Sequence, residues 1–222
     1  IPPPARLESA GSFTVNDSPR RMAVSSDQKT LYITAGANTL AAYDRSTGDP
    51  LWQLPLSYPE QFSQLDTYPS AIIAHPDGSR LIVLGSGKVL TDAQGKEVAI
   101  QGEAIIIVTL NAQGRPASAF YKIAQGTQPL ELALSPDGNT ALILERSIPQ
   151  NTYYRLLWLN LETRTVLGQL SFHEDGSPLK LTDLALSPDG ARAYVTDQGN
   201  HGLIVIDAVH RTELAFLKEE NL

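Results

Sequence analysis

Four charged side chains of this sequence could bind a ligand together. They are those of Arg21, Glu145, Asp183 and Asp197. Each residue falls next to the end of a predicted strand, so we expect the four side chains to point to a common channel mouth. Carboxylates coordinate Ca²⁺ and Mg²⁺, and an arginine binds anionic substrates. The three acidic residues are therefore candidate ligands for a divalent cation, although their spacing matches no diagnostic motif and Asp197 could instead cap the turn at 199–200.

The remaining reactive residue types do not identify a catalytic group. The sequence has no cysteine, which excludes disulfides, thiolate metal sites, Fe–S clusters, haem-attachment cysteine pairs and a cysteine nucleophile. Asn200 and His201 follow Asp197 closely, and His173 belongs to a polar loop, so all three are candidates for ligand contact. His75 replaces a serine in a turn and is predicted to be structural. No Gly-x-Ser-x-Gly elbow occurs, and the catalytic residues remain unassigned.

A repeated turn organises the chain. Four segments align without gaps around the aspartates Asp27, Asp77, Asp137 and Asp189, which are 50, 60 and 52 residues apart. These spacings are near the length of one propeller blade. In a Ser-Pro-Asp-Gly turn, proline presets φ, aspartate bonds the backbone ahead, and glycine adopts a positive φ. β-branched and aromatic residues flank the turn, so each segment is predicted to be a β-hairpin.

Two further strands follow each hairpin. Four antiparallel strands, repeated, predict an all-β fold made of β-propeller blades. The predicted blades cover residues 19–56, 70–123, 130–172 and 182–218, and residues 7–15 are predicted to form one more strand, from or closing an adjacent blade. Two arrangements remain open, an arc of a larger propeller and a small closed four-bladed ring. An open arc would expose two apolar blade faces and would need a partner surface.

The last repeat resembles the YVTN repeat of β-propellers. Residues 194–196 read Tyr-Val-Thr, and the first repeat has the similar Tyr-Ile-Thr at 32–34. The resemblance implies a propeller related to the quinoprotein amine dehydrogenase-like and lactonase-like families. In lactonases of this architecture a divalent metal lies in the channel on acidic and asparagine ligands. Asp197 and Asn200 have the residue types that this resemblance would require.

Long loops are predicted to gather on one face of the propeller, opposite the short turns, and function usually resides on such loops. The link 57–70 carries Tyr58, Phe62 and Tyr68, aromatic side chains that suit ligand or protein contact but could also pack on neighbouring blades. The insertion 85–103 is predicted to contain its own hairpin. These aromatic residues, together with the charged and polar residues introduced above, form the predicted partner face.

Three functions are compatible with these features. The favoured one is a non-catalytic binding scaffold that presents the loop face to a protein or glycan, because no catalytic constellation is evident. The second is a lactonase-like hydrolase, in which Glu145, Asp183 and Asp197 hold a metal that polarises a carbonyl and activates water. The third is a propeller that supports an oxidoreductase whose redox centre lies elsewhere.

The composition of the chain limits which partners and which cellular compartment we expect for it. The 222 residues are 42% hydrophobic and 18% charged, as in folded globular domains. A net charge of −7 disfavours nucleic acid as a partner. No apolar run reaches the ~20 residues of a transmembrane helix. The cysteine-free composition and the Ile-Pro-Pro-Pro start predict an extracytoplasmic protein, periplasmic or secreted, that binds a protein partner or associates with itself to complete the propeller.

Overall fold

The computed structural model describes residues 12–15, 18–36, 38–56, 68–86, 88–91, 93–94, 97–101, 104–123, 127–147, 153–173 and 179–218. In chain order the strands are β1 (Pro19–Val24), β2 (Thr30–Ala35), β3 (Thr39–Asp44), β4 (Pro50–Pro55), β5 (Tyr68–Ala74), β6 (Arg80–Ser86), β7 (Lys88–Thr91), β8 (Glu97–Gln101), β9 (Ala104–Leu110), β10 (Pro116–Ile123), β11 (Thr127–Leu134), β12 (Thr140–Ser147), β13 (Tyr153–Asn160), β14 (Val166–His173), β15 (Leu181–Leu186), β16 (Arg192–Asp197), β17 (Gly202–Asp207) and β18 (Thr212–Lys218).

These strands form four antiparallel sheets of four strands each, which we call blades 1 to 4. Their strand orders are β1-β2-β3-β4, β5-β6-β9-β10, β11-β12-β13-β14 and β15-β16-β17-β18, and β7 and β8 pair separately as a hairpin. No helix occurs among the described residues, and so none of them forms a helix able to span a membrane. The predicted all-β class and the predicted hairpin within 85–103 are confirmed.

The turn between the first two strands of each blade has the predicted chemistry. In blade 3, Asp137 Oδ1 accepts hydrogen bonds from the Ser135 hydroxyl at 2.6 Å and from the Asn139 backbone at 3.0 Å. Gly138 adopts a φ of 73°, a region that favours glycine. In blade 1 the equivalent residue is Gln28, which adopts a φ of 61°. The turn is therefore closed mainly by its aspartate, and glycine is not obligatory.

Both faces of the inner blades are buried against their neighbours. Because side chains alternate along a strand, one face of blade 2 packs on blade 1 and the other packs on blade 3. Tyr32, Ile82 and Leu142 occupy the same place in blades 1, 2 and 3, five residues after the turn aspartate, and each is buried toward the following blade. The core is thus a series of layers between consecutive blades.

The blades are arranged as an arc. The innermost strands contact each other in the order β1, β5, β11 and β15, and no contact of similar extent returns from β15 to β1 within the described ranges. The face of blade 4 that would meet a fifth blade carries Tyr194, Leu203, Val205 and Leu217. Tyr194 and Leu203 are partly exposed, and Leu217 is 37% exposed. We call this surface the free face of blade 4.

The described N-terminal residues lie against blade 1. The Phe13 and Tyr43 rings are 5.5 Å apart, and Val15 packs beside Ile33. Residues 12–15 belong to no strand, whereas the rest of the strand predicted over 7–15 lies outside the described residues. The outer part of this face of blade 1 is therefore covered by the chain itself.

Candidate functional site

The innermost strands share a β-bulge that positions the channel side chains. In each of them the pairing register shifts just before one position, which is Arg21 in β1, Ala71 in β5, Glu131 in β11 and Asp183 in β15. A bulge bends a strand and changes the direction of its side chains. Arg21 and Asp183 were expected beside the strands, but they lie inside them, because pairing continues beyond the bulge.

At these positions the charges of Arg21 and Asp183 act on the carboxyl group of Glu131. Burial raises the pKa of Glu131, the charge of Asp183 raises this pKa further, and the charge of Arg21 lowers it. Arg21 also donates from Nε to the Ser70 carbonyl of blade 2 at 2.6 Å. Glu131 was missed in the sequence, although it lies six residues before its turn aspartate, as Arg21 and Asp183 do.

Glu145 is held in a buried ion pair. Its side chain is 1% exposed and accepts hydrogen bonds from Arg155 Nη2 at 2.5 Å and from Arg155 Nε at 3.0 Å. The two residues are direct cross-strand partners on β12 and β13. Glu145 was expected at the end of its strand, but β12 continues to Ser147. One of its carboxylate oxygens is therefore already engaged by an intramolecular cation.

Asp197 caps the turn between β16 and β17. Its Oδ1 accepts the backbone N–H groups of Gly199 at 3.0 Å and of Lys180 at 3.1 Å, and its Oδ2 accepts Asn200 Nδ2 at 2.7 Å. Asp197 is 2% exposed. The capping interpretation of Asp197 is thereby confirmed, and it accounts for both carboxylate oxygens.

The three candidate metal ligands are in different settings. Asp183 is exposed on β15, whereas Glu145 and Asp197 are buried in blades 3 and 4. Within the part of the chain that the structure describes, no group of three or more His, Cys, Asp or Glu side chains could hold a metal ion. A metal centre made by these three carboxylates is therefore not assembled.

A cleft of about 450 Å³ lies between blades 3 and 4 on the side of the long loops. It brings together three predicted residues, His173, Asp197 and Asn200, and adds side chains that sequence reasoning missed. Its lining consists of Ser171, Phe172, His173, Leu179, Asp197, Asn200, Ile204, Glu213, Phe216 and Lys218. We call it the loop-side cleft. His201 lies outside this cleft, beside Leu203 on the free face of blade 4, with a φ of 50°.

The remaining residues named from the sequence lie elsewhere in the chain or outside the described residues. Tyr58 and Phe62 lie outside the described residues, and Tyr68 is the first residue of β5. His75 is 4% exposed and bonds the turn of blade 3, so the prediction of a structural role is confirmed.

Comparison with known proteins supports the fold. No family model and no curated protein matches the chain. Among solved structures it is similar to hydrazine synthase from Kuenenia stuttgartiensis, with a TM-score of 0.51 and 14% identity over 94% of this chain and 77% of that chain. It is also similar to the Cps50 (Swd1) β-propeller domain from Myceliophteria thermophila, with a TM-score of 0.47 and 10% identity over 91% and 73%. The chain has a β-propeller fold.

Proposed function

We propose that the chain is a non-catalytic β-propeller scaffold of the YVTN-repeat type that binds a protein or glycan through its loop face. The loop-side cleft is the observation that carries this proposal. It lies between two blades, at the ends of β14, β16 and β18, and Asn200 from the turn between β16 and β17 contributes to its lining. Concave sites with apolar walls and a few polar groups are typical of ligand binding.

The lining of the loop-side cleft suits a ligand with both hydroxyl and apolar surfaces. Phe216 is half-buried on one wall, beside the buried Ile204. Glu213 and Lys218 are exposed at the rim and offer an acceptor and a donor. A sugar ring or a tyrosine side chain could stack on the phenylalanine while its hydroxyl groups bond to the charged residues.

Binding of glycans and of peptides can be compared directly on the intact chain. We expect at least one ligand on a glycan or peptide array to bind the parent chain. Its affinity for the Phe216→Ala variant should be about tenfold lower or weaker still, where a tenfold loss is about 1.4 kcal/mol of binding free energy. Lys29→Ala, an exposed change on the opposite side, is the matched control and should bind normally. Retained binding in Phe216→Ala and Lys218→Ala would contradict the use of this cleft.

The free face of blade 4 supports a second element of the proposal, self-association that completes the ring. The residues of that face are equivalent to residues of blades 1, 2 and 3 that are buried against the next blade. Blade 1 offers a matching surface, because Met22 and Val24 are 70% and 43% exposed. Their equivalents Leu184 and Leu186 pack against blade 3. We therefore propose that a second copy of the chain covers this face, with blade 4 of each copy packed against blade 1 of the other.

An extracytoplasmic location remains part of the proposal, since a chain without cysteine is compatible with an oxidising compartment. Fractionation of cells that produce the full-length protein tests it. Recovery with the periplasmic or secreted fraction is expected, and recovery only with cytoplasmic markers would overturn it.

A further inference from the structure

A second cleft lies between blades 1 and 2 on the side of the short turns. It has a volume of about 570 Å³, and the first turn of each blade and the turn before β10 line it. We call it the turn-side cleft. It is separate from the loop-side cleft, which lies between blades 3 and 4. None of the described residues that the sequence predicted to bind a ligand lines the turn-side cleft.

The two turns that form its walls lie against each other. A Cβ at Gly78, in the turn of blade 2, would be 3.3 Å from Ser26 Oγ, in the turn of blade 1. Asp27 and Asp77 are the chain neighbours of these two residues, and both line the cleft. The turn-side cleft therefore has one carboxylate on each wall.

Each of these carboxylates uses one oxygen to close its own turn. Asp27 Oδ1 accepts the Ser25 hydroxyl at 2.6 Å. Asp77 Oδ1 accepts the Ser79 backbone N–H at 2.7 Å and lies 2.5 Å from His75 Nδ1. In the part of the chain that the structure describes, Oδ2 of neither aspartate has a hydrogen-bond partner. One carboxylate oxygen on each wall is thus available to a ligand.

A buried tyrosine brings its hydroxyl to the same cleft. Tyr32 is 4% exposed and lines the turn-side cleft. Its hydroxyl makes no hydrogen bond with another described residue, and its oxygen is not among the fully enclosed atoms. Burial raises the pKa of Tyr32 and the charge of Asp27 raises it further, so the phenol lies within electrostatic reach of that carboxylate. Because polar groups of buried side chains are usually paired, this hydroxyl points to a missing partner.

The blade repeat does not require this hydroxyl. Leu142 takes the place of Tyr32 in blade 3, and the corresponding space between blades 3 and 4 has a volume of only about 180 Å³. Leu167, Leu186 and Val209 contribute to the lining of that smaller space, and no described carboxylate does. Apolar side chains are therefore sufficient to pack two blades here, and the polar turn-side cleft needs another explanation.

We propose that the turn-side cleft binds a guanidinium group, such as that of an arginine side chain. No Lys, Arg or His belongs to its described lining, although Lys29 and His75 lie beside the two aspartates. The two carboxylates therefore favour a cation. A guanidinium presents a planar fork of N–H donors, which can bond carboxylate oxygens on both walls and the Tyr32 oxygen together.

Other cations match the turn-side cleft less well. An ammonium is a compact, strongly hydrated point charge, so it would engage fewer of these separate acceptors. A metal ion needs several ligands close together, and the described residues contain no group of three or more His, Cys, Asp or Glu that could hold one. A guanidinium is the cation whose shape uses acceptors on two walls.

Calorimetric titration of the intact chain tests this site with two probes. Methylguanidinium chloride represents a small-molecule ligand, and the blocked peptide acetyl-Gly-Arg-Gly-amide represents a partner protein. We expect both to bind saturably at millimolar concentration, with one site per chain. Tighter binding of the peptide would indicate a protein as the source of the guanidinium, whereas equal binding would indicate a small molecule.

Two altered peptides test the chemistry of recognition. Citrulline has nearly the shape of arginine without its charge, so the citrulline peptide should bind at least about tenfold more weakly. The lysine peptide keeps the charge without the planar fork and should bind at least about threefold more weakly.

Matched variants locate the site. Asp27→Asn should weaken binding of the arginine peptide at least about tenfold, and Tyr32→Phe at least about threefold. Asp189→Asn is the control for the first, because Asp189 Oδ1 accepts the Ser187 hydroxyl in the turn of blade 4 in the same way. Tyr43→Phe is the control for the second, because Tyr43 is also 4% exposed but packs on the other face of blade 1. Both controls should bind normally, and thermal melting monitors folding.

Four outcomes would overturn the proposal. The first is no saturable heat with either probe at millimolar concentration. The second is equal binding of the citrulline peptide, which would indicate a neutral hydrogen-bonding cleft. The third is equal binding of the lysine peptide, which would indicate a site for cations in general. The fourth is unchanged binding in both Asp27→Asn and Tyr32→Phe, which would place the ligand elsewhere. The loop-side cleft is tested separately by the Phe216→Ala variant.

Discussion

The imidazole Nε2 of His75 lies 2.9 Å from the carbonyl oxygen of Gly138, so the turn of blade 2 is hydrogen-bonded to the turn of blade 3. The other ring nitrogen, Nδ1, lies 2.5 Å from Asp77 Oδ1. The other blades have serine at the position of His75. The histidine therefore adds a link between blades that the repeat itself does not require.

This link makes Gly138 the most demanding of the turn glycines. Gly138 and Gly114 have similar φ values of 73° and 69°, but a Cβ at Gly138 would overlap the His75 ring, whereas a Cβ at Gly114 would meet nothing within 4 Å. We expect Gly114→Ala to cost about 1 kcal/mol from backbone strain, and Gly138→Ala to cost about 1–3 kcal/mol more from overpacking. Urea denaturation measures both, and equal losses would refute the packing argument.

Asp77 should contribute to acid sensitivity. Partial burial raises its pKa, but hydrogen bonds from Ser79 and His75 outweigh burial and lower the pKa from 3.8 to about 2. Because the folded value is below the unfolded value, the stabilisation is present above about pH 4 and is lost as the pH falls toward about 2.

Asp77→Asn should therefore melt earlier than the parent protein at pH 7, by roughly 2–4 °C for a loss of about 1 kcal/mol. The difference should shrink between pH 4 and pH 2, as followed by circular dichroism. Asp49→Asn, which alters an exposed aspartate of blade 1, is the control. A difference between Asp77→Asn and the parent that does not vary with pH would argue against a role for ionised Asp77.

The buried Glu145–Arg155 pair should be costly to break from one side. Arg155→Met leaves a carboxylate that is 1% exposed without its cation, which should cost about 3–5 kcal/mol in unfolding free energy. The double variant Glu145→Gln/Arg155→Met removes the uncompensated charge and should be more stable than the single variant. If urea denaturation gives the same loss of unfolding free energy for the single and the double variant, the Glu145–Arg155 pair does not act as a unit.

Self-association through the free face of blade 4 should depend on Leu203. Sedimentation velocity is expected to show a species of twice the 24.0 kDa chain mass at micromolar concentration. Leu203→Lys should leave only the monomer, because association would bury the charged lysine in an apolar contact and remove its hydration. Val209→Lys changes a residue that is 65% exposed elsewhere on blade 4 and should still associate. A parent chain that stays monomeric would refute this interface.

The sequence alone predicted the four-stranded repeat and the cap made by Asp197, whereas the described residues 12–15 of the strand predicted over 7–15 form no strand. Each depends on residues a few positions apart, because a Ser-Pro-Asp-Gly turn closes its own hydrogen bonds and strand alternation repeats every two residues. For the same reason the structural role of His75 could be predicted from its place in the turn, although its bond to Gly138 could not.

Tertiary structure alone decided the site. The pairing of Glu145 with Arg155 depends on strand register, and the position of Glu131 near Arg21 and Asp183 depends on a bulge in each innermost strand. Trp158 and Arg211, which lie at the contact between blades 3 and 4, each have a buried donor with no hydrogen-bond partner among the described residues. Register, bulges and inter-blade contacts join residues far apart in the chain, and their energies depend on packing that no local pattern of residues specifies.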